Sequence, residues 1–233
     1  MSYPLYFIFG VLPSIIWLFY YLRKDVHPEP KRLVLKIFLW GMLAAFPALL
    51  IEIGAKNLII KLDFSLLSKI FYWFLAVALV EEFLKYLVVR DKILKDPEFD
   101  EPVDAMIYML ISGLGFAALE NVLIFLYQKS LFLSFGETLI LLIFRFFSAT
   151  FLHALCSALV GYFLALRFFK KQGSIVFGLA ISTLLHGLYN FSIMETEGNL
   201  RIVIPIIILI SLAFLVSLAF KRLKKMKSIC KIE

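Results

Sequence analysis

Long unbroken apolar runs, each near the roughly 20 residues a helix needs to cross a bilayer, dominate this chain of 233 residues and decide its fold class. With 62% of its residues hydrophobic and only 18% charged, the chain is far too apolar for a water-soluble domain of its size. Membrane-spanning strands would alternate in hydrophobicity, whereas these runs are continuous and rich in Leu, Ile and Phe. The chain therefore reads as all-α, a polytopic helix bundle with seven spans at about 3–22, 33–53, 69–90, 103–127, 136–168, 174–193 and 201–220. The fifth is longer than a bilayer requires and is expected to tilt or protrude. The breaks carry charge or helix-stopping residues, as in Arg23-Lys24-Asp25, Asp91-Lys92 and Lys170-Lys171-Gln172-Gly173. No loop is long enough for a soluble domain, so 1–233 is expected to be a single membrane-embedded domain with a basic tail at 221–233.

Lysine and arginine orient the bundle, because loops that retain positive charge stay in the cytoplasm. The loops after spans one, three and five, with the tail, hold most of them, from Arg23 and Lys24 to Lys227 and Lys231. The other side holds Lys56, Lys61, Lys69, Lys129 and Arg201. The N-terminus is thus expected outside and the C-terminus inside, in a multi-pass protein of the cell membrane. The net charge of +7 is a topology signal and an attraction to anionic membrane lipid. Basic and aromatic residues do not interleave as on a nucleic-acid surface, so no nucleic-acid partner is expected. The first apolar segment lacks a basic flank and a cleavage site, and reads as a retained helix. Cys156 within span five and Cys230 in the tail are not expected to pair.

Against this background five ionisable side chains stand out: Glu81, Glu82, Glu120, His153 and His186 all fall within spans. A charge at that depth is costly and must find a partner inside the bundle, so these residues should converge on one polar site. Glu81 and Glu82 are followed by Lys85, three and four residues on and so on their side of the helix. Neighbouring helix positions differ by about 100°, which lets the two carboxylates divide their work. Glu120 and Asn121 follow the small-residue run from Ser112 to Ala118, whose glycines let another helix approach closely. His153, Ser157 and Gly161 recur every four positions, and His186 is followed four residues later by Asn190. Arg145 suits a structural role, as partner of a glutamate or reaching outward. Glu52 and the acidic start of span four, Asp100, Glu101 and Asp104, suit interface and helix-start positions.

Glu-Glu-x-x-Lys at 81–85, Phe116-x-x-x-Glu120-Asn121, His153-x-x-x-Ser157-x-x-x-Gly161 and His186-x-x-x-Asn190, in this order on successive helices, resemble the PrsW-type intramembrane proteases. The segments Asp25-Val-His-Pro-Glu29-Pro30 and Asp100-Glu-Pro-Val-Asp104 fit the same pattern, so the resemblance spans about 23–192. It implies a hydrolase with Glu81, Glu82, Lys85, Glu120, His153, His186 and Asn190 in its site. It also implies a clan shared with CAAX prenyl endopeptidases and bacteriocin-immunity proteins. The implied substrate is a single-span membrane protein, such as an anti-sigma factor that receives its first cut on the extracytoplasmic side in a stress response.

Two chemistries are open to these residues. Glu82, Glu120, His153 and His186 would make an acceptable shell for zinc, with Glu81 as base. Without metal, Glu81 or Glu82 would take a proton from water while a histidine and Asn190 stabilise the oxyanion. The absence of a His-Glu-x-x-His or other close ligand pair favours the metal-free form, and the cofactor expectation is none or zinc. A proton-relaying transporter or channel would use the same residue types, but no inverted repeat supports it. A non-catalytic relative that shelters a partner helix is the third reading.

Overall fold

The computed structural model describes residues 3–24, 27–62, 65–130 and 134–226; Asp25, Lys227, Cys230 and Lys231, named above, lie outside them. Among the described residues the chain is helical, with α1 Tyr3–Leu22, α2 Lys31–Leu62, α3 Leu66–Phe71, a π-helical segment Tyr72–Leu79, α4 Val80–Lys92, α5 Pro102–Ser130, α6 Phe135–Phe147, α7 Ala149–Lys170, α8 Ile175–Glu195 and α9 Leu200–Leu223. Within the described residues six stretches are long and apolar enough to cross a membrane: Tyr3–Leu22, Lys31–Ile59, Pro102–Tyr127, Phe135–Lys170, Ile175–Glu195 and Leu200–Leu223. The expected third span, 69–90, is helical throughout but composite. It runs from α3 through the π segment into α4 and carries Glu81, Glu82 and Lys85.

The expected fifth span is also divided. Ser148, at φ −113° and ψ −94°, leaves the helical region and separates α6 from α7. The long expected span 136–168 thus contains a break, which its expected tilt or protrusion did not include. A break frees backbone groups that must be paired elsewhere. The Phe146 carbonyl accepts the indole N–H of Trp17 at 2.9 Å, which ties α1 to the broken helix. Trp17 also stacks on Phe146 and Phe151, with ring centroids 5.2 and 4.3 Å away.

α5 is the axis of the bundle. It is apolar on every face, so it must be surrounded, and it packs against α7, α2 and α1. Every residue from Val103 to Leu119 is buried. Helices with no water to escape approach through small residues. Gly115 lies against the Phe38 carbonyl of α2, where a methyl group would overlap it. A Cβ on Gly113 would lie 2.9 Å from the His153 carbonyl oxygen and would strike the Ser157 side chain of α7. The glycines of the 112–118 run therefore seat two neighbours, as their spacing implied. Ser112 Oγ adds a hydrogen bond to the Lys85 carbonyl oxygen at 3.0 Å, fixing α4 to the same axis.

This contact yields a test. Gly113→Val should push α7 and His153 outward and destabilise the protein by about 1–3 kcal/mol, the usual cost of overpacking. Gly136→Val, with open space around it, should melt like the parent in detergent. Equal melting of all three proteins would dismiss Gly113 as a packing determinant.

Where α4 meets α5, the motifs at 27–30 and 100–104 come together. Asp104 accepts the backbone N–H groups of Asp100 and Glu101 at 3.0 and 2.7 Å, the helix-start role expected of it. His27 and Glu101 pair at 2.7 Å, and the Tyr108 hydroxyl donates to Glu29. This cluster holds the start of α5 in place. Glu120 lies 18 residues further along the same helix, about 27 Å away at 1.5 Å per residue.

Candidate active site

Glu81, Glu82 and Lys85 sit on α4 directly after the π segment, in the middle of the protein. Wide helical turns of this kind are uncommon and recur at functional sites. Here the segment packs against α8, and its Phe74 ring lies where a side chain on Gly187, next to His186, would otherwise go. α4 itself packs on α2, α5, α7 and α8, so its glutamates face the histidines of two other helices.

Lys85 is the hub. It is fully buried, and an ammonium in that position must use all three of its hydrogens. Its Nζ donates to Glu82 Oε1 at 2.8 Å, to His153 Nδ1 at 2.7 Å and to Glu81 Oε2 at 3.3 Å. The Phe116 ring closes the remaining side, its centroid 4.5 Å from Nζ.

Each histidine is held from behind by a carboxylate. His153 Nε2 lies 2.8 Å from Glu120 Oε2, and His186 Nδ1 lies 2.9 Å from Glu82 Oε1. A carboxylate only accepts, so each of these nitrogens carries the proton and the opposite nitrogen presents its lone pair. The opposite nitrogens, His153 Nδ1, which accepts from Lys85, and His186 Nε2, lie 3.7 and 3.9 Å from Glu81 Oε2. The rings meet edge to face with centroids 5.0 Å apart. Glu120 is in turn paired with Arg145 Nη2 at 3.2 Å, and Arg145 Nε donates to Asn121. Asn121 Nδ2 donates to Thr150 Oγ1 at 2.9 Å, fastening α5 to the first turn of α7.

The five intramembrane residues thus converge as their cost in a bilayer demanded. Their division of labour differs from the zinc shell expected above. Glu82 and Glu120 stand behind the histidines, and Glu81 is the carboxylate that shares their free face. Glu81, His153 and His186 each offer a ligand atom within 4.8 Å of the others. That donor set suits zinc, and histidines whose other nitrogen is fixed by a carboxylate are the usual support for it. Asn190, one turn beyond His186, is half-buried and hydrogen-bonds to none of these groups. Ser157 and Cys156 are buried in helix packing, Ser157 against Gly113 and Cys156 against α8, so neither has a place at this face.

The site opens sideways. A groove of about 490 Å³ between α2 and α5 is lined by Glu81 and Glu120, by Phe116, Leu123 and Tyr127, and by Ala45, Leu49 and Glu52 of α2. Glu52, placed at the interface by its sequence position, therefore looks onto the same groove as the catalytic candidates. Nothing in the pattern around it pointed there, since its helix otherwise presents apolar residues at that depth.

The family model of the PrsW family intramembrane metalloproteases matches residues 29–219 of this chain. The chain belongs to the PrsW family. Curated relatives named Protease PrsW agree with this along most of their length. That of Geobacillus kaustophilus is 31% identical over 194 residues, covering 81% of this chain and 79% of its own. That of Oceanobacillus iheyensis is 30% identical over 206 residues, covering 86% and 88%. That of Bacillus subtilis is 26% identical over 225 residues and covers 94% of both chains. No solved structure matches. Membership of the PrsW family makes the chain a multi-pass membrane protein and a hydrolase, a protease whose substrate is itself a membrane protein.

Proposed function

We propose that peptide-bond hydrolysis takes place at the face shared by Glu81, His153 and His186, on a substrate helix that reaches it through the groove between α2 and α5. The observation that carries this is the convergence of Glu81, His153 and His186, of which Glu81 also lines that groove. These three side chains would hold a divalent cation such as zinc, which when bound supplies Lewis acidity toward a scissile carbonyl and a water. The charges can accommodate a cation. With Glu52, Glu81, Glu82 and Glu120 all ionised, Lys85 and Arg145 would return two of the four charges and a divalent ion would match the other two. Without an ion, buried carboxylates meet the same cost by holding protons. For His153 Nδ1 to help hold a cation, Lys85 would have to give up that nitrogen and keep its bonds to Glu81 and Glu82.

The protein's own groups do the rest. Glu82 and Glu120 hold the imidazoles in the tautomers that point their lone pairs at the reaction. With Oε2 turned to the histidines, Glu81 keeps Oε1, which makes no hydrogen bond within the described residues, to accept the proton of the attacking water. The water oxygen bonds to the carbonyl carbon, the C–N bond breaks, and that proton passes to the departing nitrogen. Phe116, Leu123 and Leu49 keep bulk water from the groove and suit the apolar flank of a membrane helix.

In its finer detail the substrate is a single-span membrane protein of the anti-sigma-factor type, cut first on its extracytoplasmic side. The lysine and arginine bias supports an outside N-terminus and an inside C-terminus. A cytoplasm-active reporter fused after Glu233 should therefore be active, and an extracytoplasmic readout there would overturn the orientation and the side of the cut. The deciding assay for function is cleavage of a panel of single-span proteins in liposomes by the purified protein. A wild-type protein that cuts none of them while moving protons across the vesicle would replace hydrolysis with transport.

A further inference from the structure

A second groove, of about 670 Å³, shares no residue with the catalytic one and lies between α1, the α6–α7 break and α9. Its two ends differ in chemistry. One is a wall of rings, Trp17 stacked on Phe146 and Phe151 with Tyr20 edge-on beside it. The other is formed by Lys24 at the end of α1 and Lys221 and Lys224 at the end of α9. Along α1 the lining runs from Ile16 to Lys24, about 12 Å at 1.5 Å per residue.

Among the described residues nothing neutralises the lysine end, and no acidic residue lines the groove. Lys24 Nζ lies 4.9 Å from the Tyr20 ring centroid, and Lys224 donates to the Lys24 backbone carbonyl, contacts that leave both charges in place. Lys221 makes no ion pair among the described residues. An apolar slot in a membrane protein that ends in three cations matches a molecule with a hydrocarbon chain and an anionic head.

We propose that this groove binds an anionic phospholipid, its acyl chain along Trp17 and Phe151 and its headgroup phosphate on Lys24, Lys221 and Lys224. Zwitterionic lipids reach the same aromatic wall but gain nothing net from the three charges. The site would make the enzyme selective for lipid on the lysine-bearing side of the membrane, independently of how the catalytic face works.

Trp17 reports on occupancy directly. In the full chain carrying Trp40→Phe and Trp73→Phe, Trp17 is the remaining tryptophan, and bromine on an acyl chain quenches it at short range. The protein is placed in phosphatidylcholine vesicles containing brominated phosphatidylglycerol, or in phosphatidylglycerol vesicles containing brominated phosphatidylcholine. Quenching should show a preference for the anionic lipid of about fivefold or more, one lysine's worth of attraction or better. The preference should fall to none in K24Q/K221Q/K224Q and persist in K170Q/K171Q, which removes two basic residues that do not line the groove. If the double phenylalanine variant does not fold, retention of phosphatidylglycerol by the delipidated wild type and by the triple variant, counted by native mass spectrometry, serves instead. Equal quenching by both lipids, a preference unchanged by the triple substitution, or equal retention by both proteins would overturn the assignment.

Discussion

Glu81→Gln should leave the bundle folded and reduce cleavage of a single-span substrate in liposomes by about 10²–10⁴-fold, the usual contribution of a positioned general base. Glutamine keeps the volume and an acceptor toward Lys85 but has neither the charge nor the basicity. The loss should therefore appear in the rate of the bond-breaking step and in weaker zinc retention, since Glu81 is one of the three groups that would hold the ion, with the melting temperature in detergent nearly unchanged. Glu82→Gln should also be severe, for a different reason. Glu82 Oε1 accepts from both Lys85 and His186, and a neutral amide holds neither as well, so the His186 lone pair loses its aim. If both glutamine variants cut as fast as the wild type, the assigned carboxylates are not the catalysts.

His153→Ala and His186→Ala should each remove two things together, the cleavage activity and a stoichiometric bound zinc. Losing one of three protein ligands opens the shell, and affinity falls with it. A chelator should silence the wild type, and added zinc should restore it. Metal content measured on the purified variants separates loss of the ion from loss of the fold. Full activity in chelator-treated, metal-free protein would remove the cation from the mechanism and leave the water proton to Glu81 alone.

Most of the bundle was legible because a bilayer forbids subtlety: a run of apolar residues long enough to cross is a helix, and α1, α2, α5, α8 and α9 lie where the runs do. The site was legible for the complementary reason, since a charge at midplane depth in α4, α5, α7 or α8 has to find the others. Roles within the site were harder to read. Glu81 and Glu82 are identical in composition and adjacent in sequence, and what separates them is rotation about the helix axis, which depends on turns several residues earlier. The preference for a metal-free site rested on the lack of a close ligand pair, and the grouping of Glu81, His153 and His186 from three different helices is one that no local spacing encodes. The place of Glu52 on the groove was not legible, because its helix runs nine residues past the expected end at 53. That carries Glu52 into the interior of a helix facing the groove. The break at Ser148 hides in a stretch, Phe135–Lys170, that as a whole stays apolar enough to read as one span.

The π segment preceding Glu81 has an implication for how such a site can change. A wide turn absorbs one residue more than an α turn, so the extra residue need not pass its ordinary rotation of about 100° to the helix that follows. Deleting a single residue between Tyr72 and Leu79 would restore regular winding and leave α4 facing much as it does. The same deletion in a regular turn ahead of Glu81 would swing both carboxylates away from their partners. The chain can thus gain or lose a residue at this one place without re-aiming the side chains that follow it.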